Sequence, residues 1–118
     1  MRFFARDFIR ACILFFLLSL CVTNVAVAGG GQTGQVIRIF VRQSDHVVLV
    51  DIAGTPSNRP ACAPYTYWVI KDETSLTGKQ QLALLMLAKA TGQTVVISGT
   101  GECTRLPSGE DIDAVIVQ

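Results

Sequence analysis

The one histidine of the chain, His46, follows Asp45 in the polar stretch QSDH. A carboxylate beside an imidazole can fix its tautomer and strengthen it as a base, but such a base needs a nucleophile to act on. The nearest hydroxyls, Ser44 and Ser98, lie in no strand-turn-helix elbow, so His46 reads as a turn residue. TGKQ at residues 77–80 ends like a phosphate-binding loop, yet Glu73 stands where its first glycine belongs and no Ser or Thr follows Lys79. GTG at residues 99–101 opens no helix and reads as a tight turn. Glu110, Asp111 and Asp113 are a carboxylate cluster without the alternating oxygen ligands and glycine of a calcium loop, and read as solvated turn residues. This inventory predicts no enzyme, no metal and no cofactor.

Residue types suited to binding are better represented. Tyr65 and Tyr67, two apart in YTYWVI, would project from one face of a strand beside a proline-rich loop. Tyrosine rings stack on the apolar faces of sugars while their hydroxyls hydrogen-bond. Arg42, Asp45 and His46 at the first hairpin would add polar contacts. Ordinary strand packing is the competing role for both tyrosines.

These side chains are held in a short domain. Residues 1–28 read as a signal peptide: Arg2, Arg6 and Arg10 form a basic n-region, ACILFFLLSLCV is a short apolar h-region, and Ala26, Val27 and Ala28 suit signal peptidase. The apolar run is well short of the ~20 residues a membrane span needs, so no stable span is expected after cleavage. A lipoprotein signal ending at Cys21 is the minor alternative, with Leu20 where a small residue belongs. The expected location is periplasmic or secreted. The whole chain has a net charge of +1, but three arginines and one acid lie in the leader. The remainder is therefore slightly acidic, which disfavours a nucleic-acid partner. Cys12 and Cys21 would leave with the leader, so Cys62 and Cys103 remain as an even pair in an oxidising context, where a disulfide is the default. A metal site is the weaker alternative, since two thiols and one imidazole do not complete a four-ligand set.

Along the rest, GGGQTG at residues 29–34 predicts a flexible leader with nothing to bury, ahead of a domain over residues 35–118. QVIRIFVRQ alternates as a strand with Ile37, Ile39 and Val41 on one side, and VVLVDIA reads as a more central strand. Residues 54–64, with three prolines, must be a loop. YTYWVI is a third strand whose Trp68 and Ile70 are the core candidates. Thr77 and Gln80 form a capping-box pattern and Gly92 a C-terminal stop, which predicts a helix over residues 78–91. Two more strands follow, around residues 93–98 and 112–117. The order is mainly β, β-β-β-α-β-β, and predicts an OB-fold five-stranded barrel with one helix between strands 3 and 4; a mixed α+β sandwich is the alternative.

The exported leader, this element order, the cysteine pair and above all LALLMLAKATGQTVVISG resemble the receptor-binding B subunits of bacterial A-B toxins, closest to the subtilase cytotoxin B subunit-like family. The resemblance implies an OB-type fold with an intrachain disulfide, a ring-shaped homopentamer, and binding of cell-surface glycans. It implies no particular sugar-contacting residue here, because those positions fall where the match is poor. A catalytic A subunit is the partner that such a B subunit would carry, and nothing in this chain shows one.

The helix adds an independent argument. Seven consecutive apolar residues, 82–88, place Leu82, Leu85 and Met86 on one side and Leu84 and Leu87 nearly opposite. A small domain has no second layer to cover both sides, so Leu84 and Leu87 are predicted to meet another copy of the chain. The alternative is that the 54–64 loop folds over them. The expected function is a self-associating, non-enzymatic glycan-binding module. The competing expectation is a periplasmic structural or inhibitory protein that binds another protein through its apolar helix face.

Overall fold

The computed structural model describes residues 29–118; the predicted signal peptide, with its Cys12 and Cys21, lies outside the described residues. The elements are β1 (Gly31–Val41), β2 (Val48–Ile52), β3 (Trp68–Val69), α1 (Leu76–Thr91), β4 (Thr94–Gly99) and β5 (Glu110–Val117). The strands close into a barrel in the order β1-β2-β3-β5-β4, with β3 and β5 parallel and the other pairs antiparallel. With α1 between β3 and β4, this is the expected OB-like fold.

Closure depends on β1 serving two neighbours. Residues 31–35 pair with β4, and residues 36–41 pair with β2. A register shift between Val36 and Arg38 turns the strand from one partner to the other. The same irregularity breaks the simple alternation: Val36 is buried, Ile39 packs against the core, and Ile37 and Val41, expected on a buried face, are exposed.

The structure corrects the flexible leader. Residues 31–34 are the first half of β1, and Gln32 is buried. Glycines recur here because the backbones touch: a Cβ on Gly29 would overlap the Gly99 carbonyl, and one on Gly34 the Ala53 carbonyl. Low side-chain content reads as flexibility in sequence, whereas here it permits barrel closure.

The core joins Val36, Val50, Ile52, Trp68, Ile70, Val95, Ile97 and Ile112 to Leu85 and Ala88 of the helix. Each large aliphatic side chain taken fully from water contributes about 1.5–3 kcal/mol. Trp68 and Ile70 are fully buried as expected, although β3 is reduced to two residues. Ahead of it the Arg59 guanidinium takes the carbonyls of Thr66 and Tyr67, at 3.0 and 2.7 Å, as hydrogen-bond acceptors. Those residues hold an ordered but non-strand conformation.

Helix α1 starts earlier than the Thr77–Gln80 pattern predicts. Ser75 is the N-cap, its Oγ accepting from the Gly78 amide at 3.0 Å. Asp72 organises the approach, its Oδ1 accepting from the Thr74 amide and hydroxyl. At the far end Gly92 adopts φ 69°, the left-handed stop that its position predicts. The buried stripe is Gly78, Gln81, Leu85 and Ala88, with Leu82 packed at its edge. Met86, expected beside Leu85, is 57% exposed because it lies a full 100° round the axis from Leu85, beyond the barrel's reach.

Candidate functional site

One end of the barrel is built from the 53–67 segment and the β4–β5 connection, stapled by Cys62–Cys103 with Cα atoms 6.2 Å apart. The expected disulfide is thus formed. Tyr65 and Tyr67 emerge from this end with ring centroids 5.7 Å apart and planes inclined by 14°, a stacked pair. Tyr65 is 59% exposed. Tyr67 is half-buried, its hydroxyl 2.6 Å from Ser108 Oγ. The two rings share a face as predicted, though no strand ladder sets them there.

Arg59 sets them, and sequence reading did not single it out. Besides holding the Thr66 and Tyr67 carbonyls, its guanidinium lies 4.4 Å above the Trp68 ring. Trp68 Nε1 donates to Gln32 Oε1 at 2.7 Å, and Gln32 Nε2 donates to the carbonyls of Ile52 and Gly54, each at 2.9 Å. Behind Arg59 sits Glu110, fully buried, with Nε and Oε2 3.7 Å apart. Glu110 Oε1 accepts from the amides of Gly30 and Gly101 at 2.8 and 3.0 Å. Burial pulls the Arg59 pKa below its ordinary value, while the Glu110 charge opposes that pull. Removing either partner would strand a buried charge.

The carboxylates at the start of β5 are therefore not the solvated turn that the sequence suggested. Asp111 is also fully buried; its Oδ1 accepts from the Arg105 amide at 3.2 Å, and its Oδ2 from the amide and hydroxyl of Thr104. Both acids satisfy backbone donors of the 100–105 turn, which a neutral side chain would satisfy less strongly. Only Asp113 of the three is exposed. The signal available in sequence was that Glu110 and Asp111 directly precede an apolar alternating run.

Beside the tyrosines the first hairpin brings up Arg42 and Asp45. Arg42 Nε donates to Asp45 Oδ1 at 2.8 Å, with Nη2 on Oδ2, a two-pronged pair. The Arg42 hydrogen bond holds the Asp45 carboxyl down to about 2, and Asp45 in turn raises the Arg42 pKa. Tyr67 lies within electrostatic reach of the Arg42 guanidinium. Arg105 crosses from the opposite loop to Glu73 at 2.9 Å and to the Asp45 carbonyl at 2.5 Å. His46 is exposed with φ 62°, a left-handed conformation that histidine, asparagine and aspartate adopt more readily than other non-glycine residues, and its amide donates to the Arg42 carbonyl at 2.8 Å. Tyr65, Tyr67, Arg42 and Asp45 thus share a neighbourhood; for His46 the contact is through its backbone.

Leu84 and Leu87 lie on the outer side of α1, 38% and 51% exposed, next to Gln80 and Ala83. The 54–64 loop does not cover them. It runs instead to the start of β1, where Ser57 exchanges backbone hydrogen bonds with Gly31. In comparisons with known protein families, characterised proteins and solved structures, the chain matches none.

Proposed function

We propose that this chain is an exported, non-enzymatic binding module that recognises a glycan at the stacked tyrosine pair and assembles with copies of itself through the outer face of α1. The observation that carries the ligand half is the Tyr65–Tyr67 stack: an exposed aromatic surface, rigidly mounted, beside the charged donors and acceptors of Arg42 and Asp45. A pyranose offers a C–H face to such a surface and hydroxyls to its polar rim. Rigid mounting by Arg59, the Cys62–Cys103 staple and Ser108 lowers the ordering cost of binding.

The self-association half is supported by Leu84 and Leu87. Both stay partly in water, at 38% and 51% exposed, which forgoes part of roughly 1.5–3 kcal/mol each. In this reading the resemblance to toxin B subunits extends to a ring, with five copies as its family form and a catalytic A subunit as a partner for it. The tests are direct. The cleaved, oxidised protein is expected to be retained on a glycan array, and Tyr65→Ala to weaken retention without unfolding; a folded protein that binds no glycan defeats the ligand half. Light scattering is expected to show an oligomer that Leu84→Glu with Leu87→Glu converts to a folded monomer. A monomeric wild type defeats the second half, and recovery of a heterologous envelope protein on that face favours the inhibitory or structural reading.

A further inference from the structure

The two rings of the tyrosine platform are secured in different ways. Tyr67 is fixed on three sides: its hydroxyl lies 2.6 Å from Ser108 Oγ, its carbonyl accepts from Arg59 at 2.7 Å, and a Cβ on Gly109 would stand 2.5 Å from its ring. Tyr65 stacks on Tyr67 but makes no hydrogen bond among the described residues. From Pro60 to Tyr65 the one hydrogen bond among the described residues is internal, from the Ala63 amide to the Pro60 carbonyl at 3.0 Å. Of these side chains only that of Ala63 is buried, and one methyl group is a weak tether. Arg59 clips the base of this loop by holding the carbonyls of Thr66 and Tyr67, and Cys62–Cys103 pins its tip to the β4–β5 connection. Base and tip therefore depend on different chemistry. The clip is buried against Trp68 and Glu110, whereas the pin is a disulfide whose Cys62 is exposed and whose Cys103 is half-buried.

We propose that Cys62–Cys103 is a reducible latch on the tyrosine platform, which a dithiol opens so that Tyr65 leaves the Tyr67 ring while the barrel stays closed. The effect on binding rests on the glycan reading; the movement does not. The chemistry is thiol–disulfide exchange. A thiolate of the dithiol attacks the exposed Cys62 Sγ, forming a mixed disulfide and expelling Cys103 as a thiolate that takes a proton from water. The reductant's second thiolate then attacks its own sulfur in the mixed disulfide, which releases Cys62 as a thiol and leaves the dithiol oxidised. Two electrons pass to the protein. Reduction removes no partner from Arg59, Glu110 or the Gln32–Trp68 hydrogen bond, so the interior that closes the barrel is kept. What goes is the tether at the loop tip. Tyr65, already 59% exposed, loses little burial by moving, and the freed backbone gains conformational entropy.

The experiment compares the ¹⁵N-labelled oxidised protein with the same sample reduced by dithiothreitol, peptide mapping of alkylated Cys62 and Cys103 confirming that the bond is open. On reduction the amides of Ala61 to Tyr65 are expected to move to unstructured positions with lowered heteronuclear NOE, while the Tyr67 and Gly109 amides and the Trp68 indole keep their folded signals. Cys62→Ser with Cys103→Ser should reproduce the reduced spectrum. Retention on the glycan array should fall about tenfold with the loss of one stacking ring, and return on reoxidation. An unmoved Tyr65 amide in the confirmed reduced protein would overturn the latch. Loss of the Trp68 and Gly109 signals along with it would also overturn it, since the bond would then hold the whole barrel. Equal retention of both forms with the loop released would overturn the control of binding. No retention of either form, with the loop still released on reduction, would overturn the glycan reading and leave the latch standing.

Discussion

Replacing Gln32 by alanine separates the two ways of viewing the glycine-rich start of the domain. In a flexible leader the change would be silent, within about 0.5 kcal/mol. In the barrel, Gln32 is 5% exposed and fastens three segments: it accepts from Trp68 Nε1 and donates to the carbonyls of Ile52 and Gly54. Truncation leaves the Trp68 N–H and the Ile52 carbonyl short of a partner inside the barrel, at about 1–3 kcal/mol for each buried group. The Gly54 residue is exposed and its carbonyl can turn to water. A loss of about 3 kcal/mol is therefore expected, against a total of roughly 5–13 kcal/mol for a domain this size. At about 4–8 °C per kcal/mol this lowers Tm by roughly 10–25 °C. The assay is urea unfolding of the disulfide-intact protein, followed by tryptophan fluorescence and far-UV circular dichroism. Because Trp68 is the sole tryptophan, its emission should also shift in the folded variant as its N–H loses its partner. A change below about 0.5 kcal/mol with unaltered emission would refute the placement of residues 31–34 in the barrel.

Replacing Cys62 and Cys103 by alanine removes a cross-link spanning 41 residues, and should cost about 4 kcal/mol in denaturant midpoint analysis. Ser75→Ala should cost about 1 kcal/mol while Thr77→Ala costs far less, and equal losses by thermal melting would place the cap elsewhere. The Arg42–Asp45 pair has a defined pH signature. The folded Asp45 carboxyl is depressed to about 2, so its stabilising contribution is full above the unfolded value near 3.9 and is lost as pH falls through about 2. The stability difference between wild type and Asp45→Asn, followed by melts from pH 7 to pH 2, should stay level to about pH 4.5 and then decline; a difference that grows on acidification contradicts the pairing.

How much of this was legible beforehand depended on how local the governing physics is. The element order, the helix stop at Gly92 and the burial of Trp68 and Ile70 follow from periodicity, turn chemistry and composition. The tyrosine pair was legible as a shared face, but not the manner in which it is held. Arg59 sits in a proline-rich loop where an arginine is ordinarily solvated; its packing against Trp68 and Glu110 depends on residues 9 and 51 positions further along the chain. Glu110 and Asp111 likewise read as a surface cluster, because nothing near them in sequence announces the amides of Gly30, Gly101 and Thr104 that they serve.

The amino-acid order by itself determined the succession of strands and helix and where the helix ends, since each is settled by neighbours within a few residues. Only the tertiary structure decided that the glycines at the start of the domain close a barrel, that β1 turns between two partners, and that a buried arginine mounts the aromatic surface. Those outcomes rest on backbones meeting at close range and on charges removed from water together, quantities that exist only once distant segments share one interior.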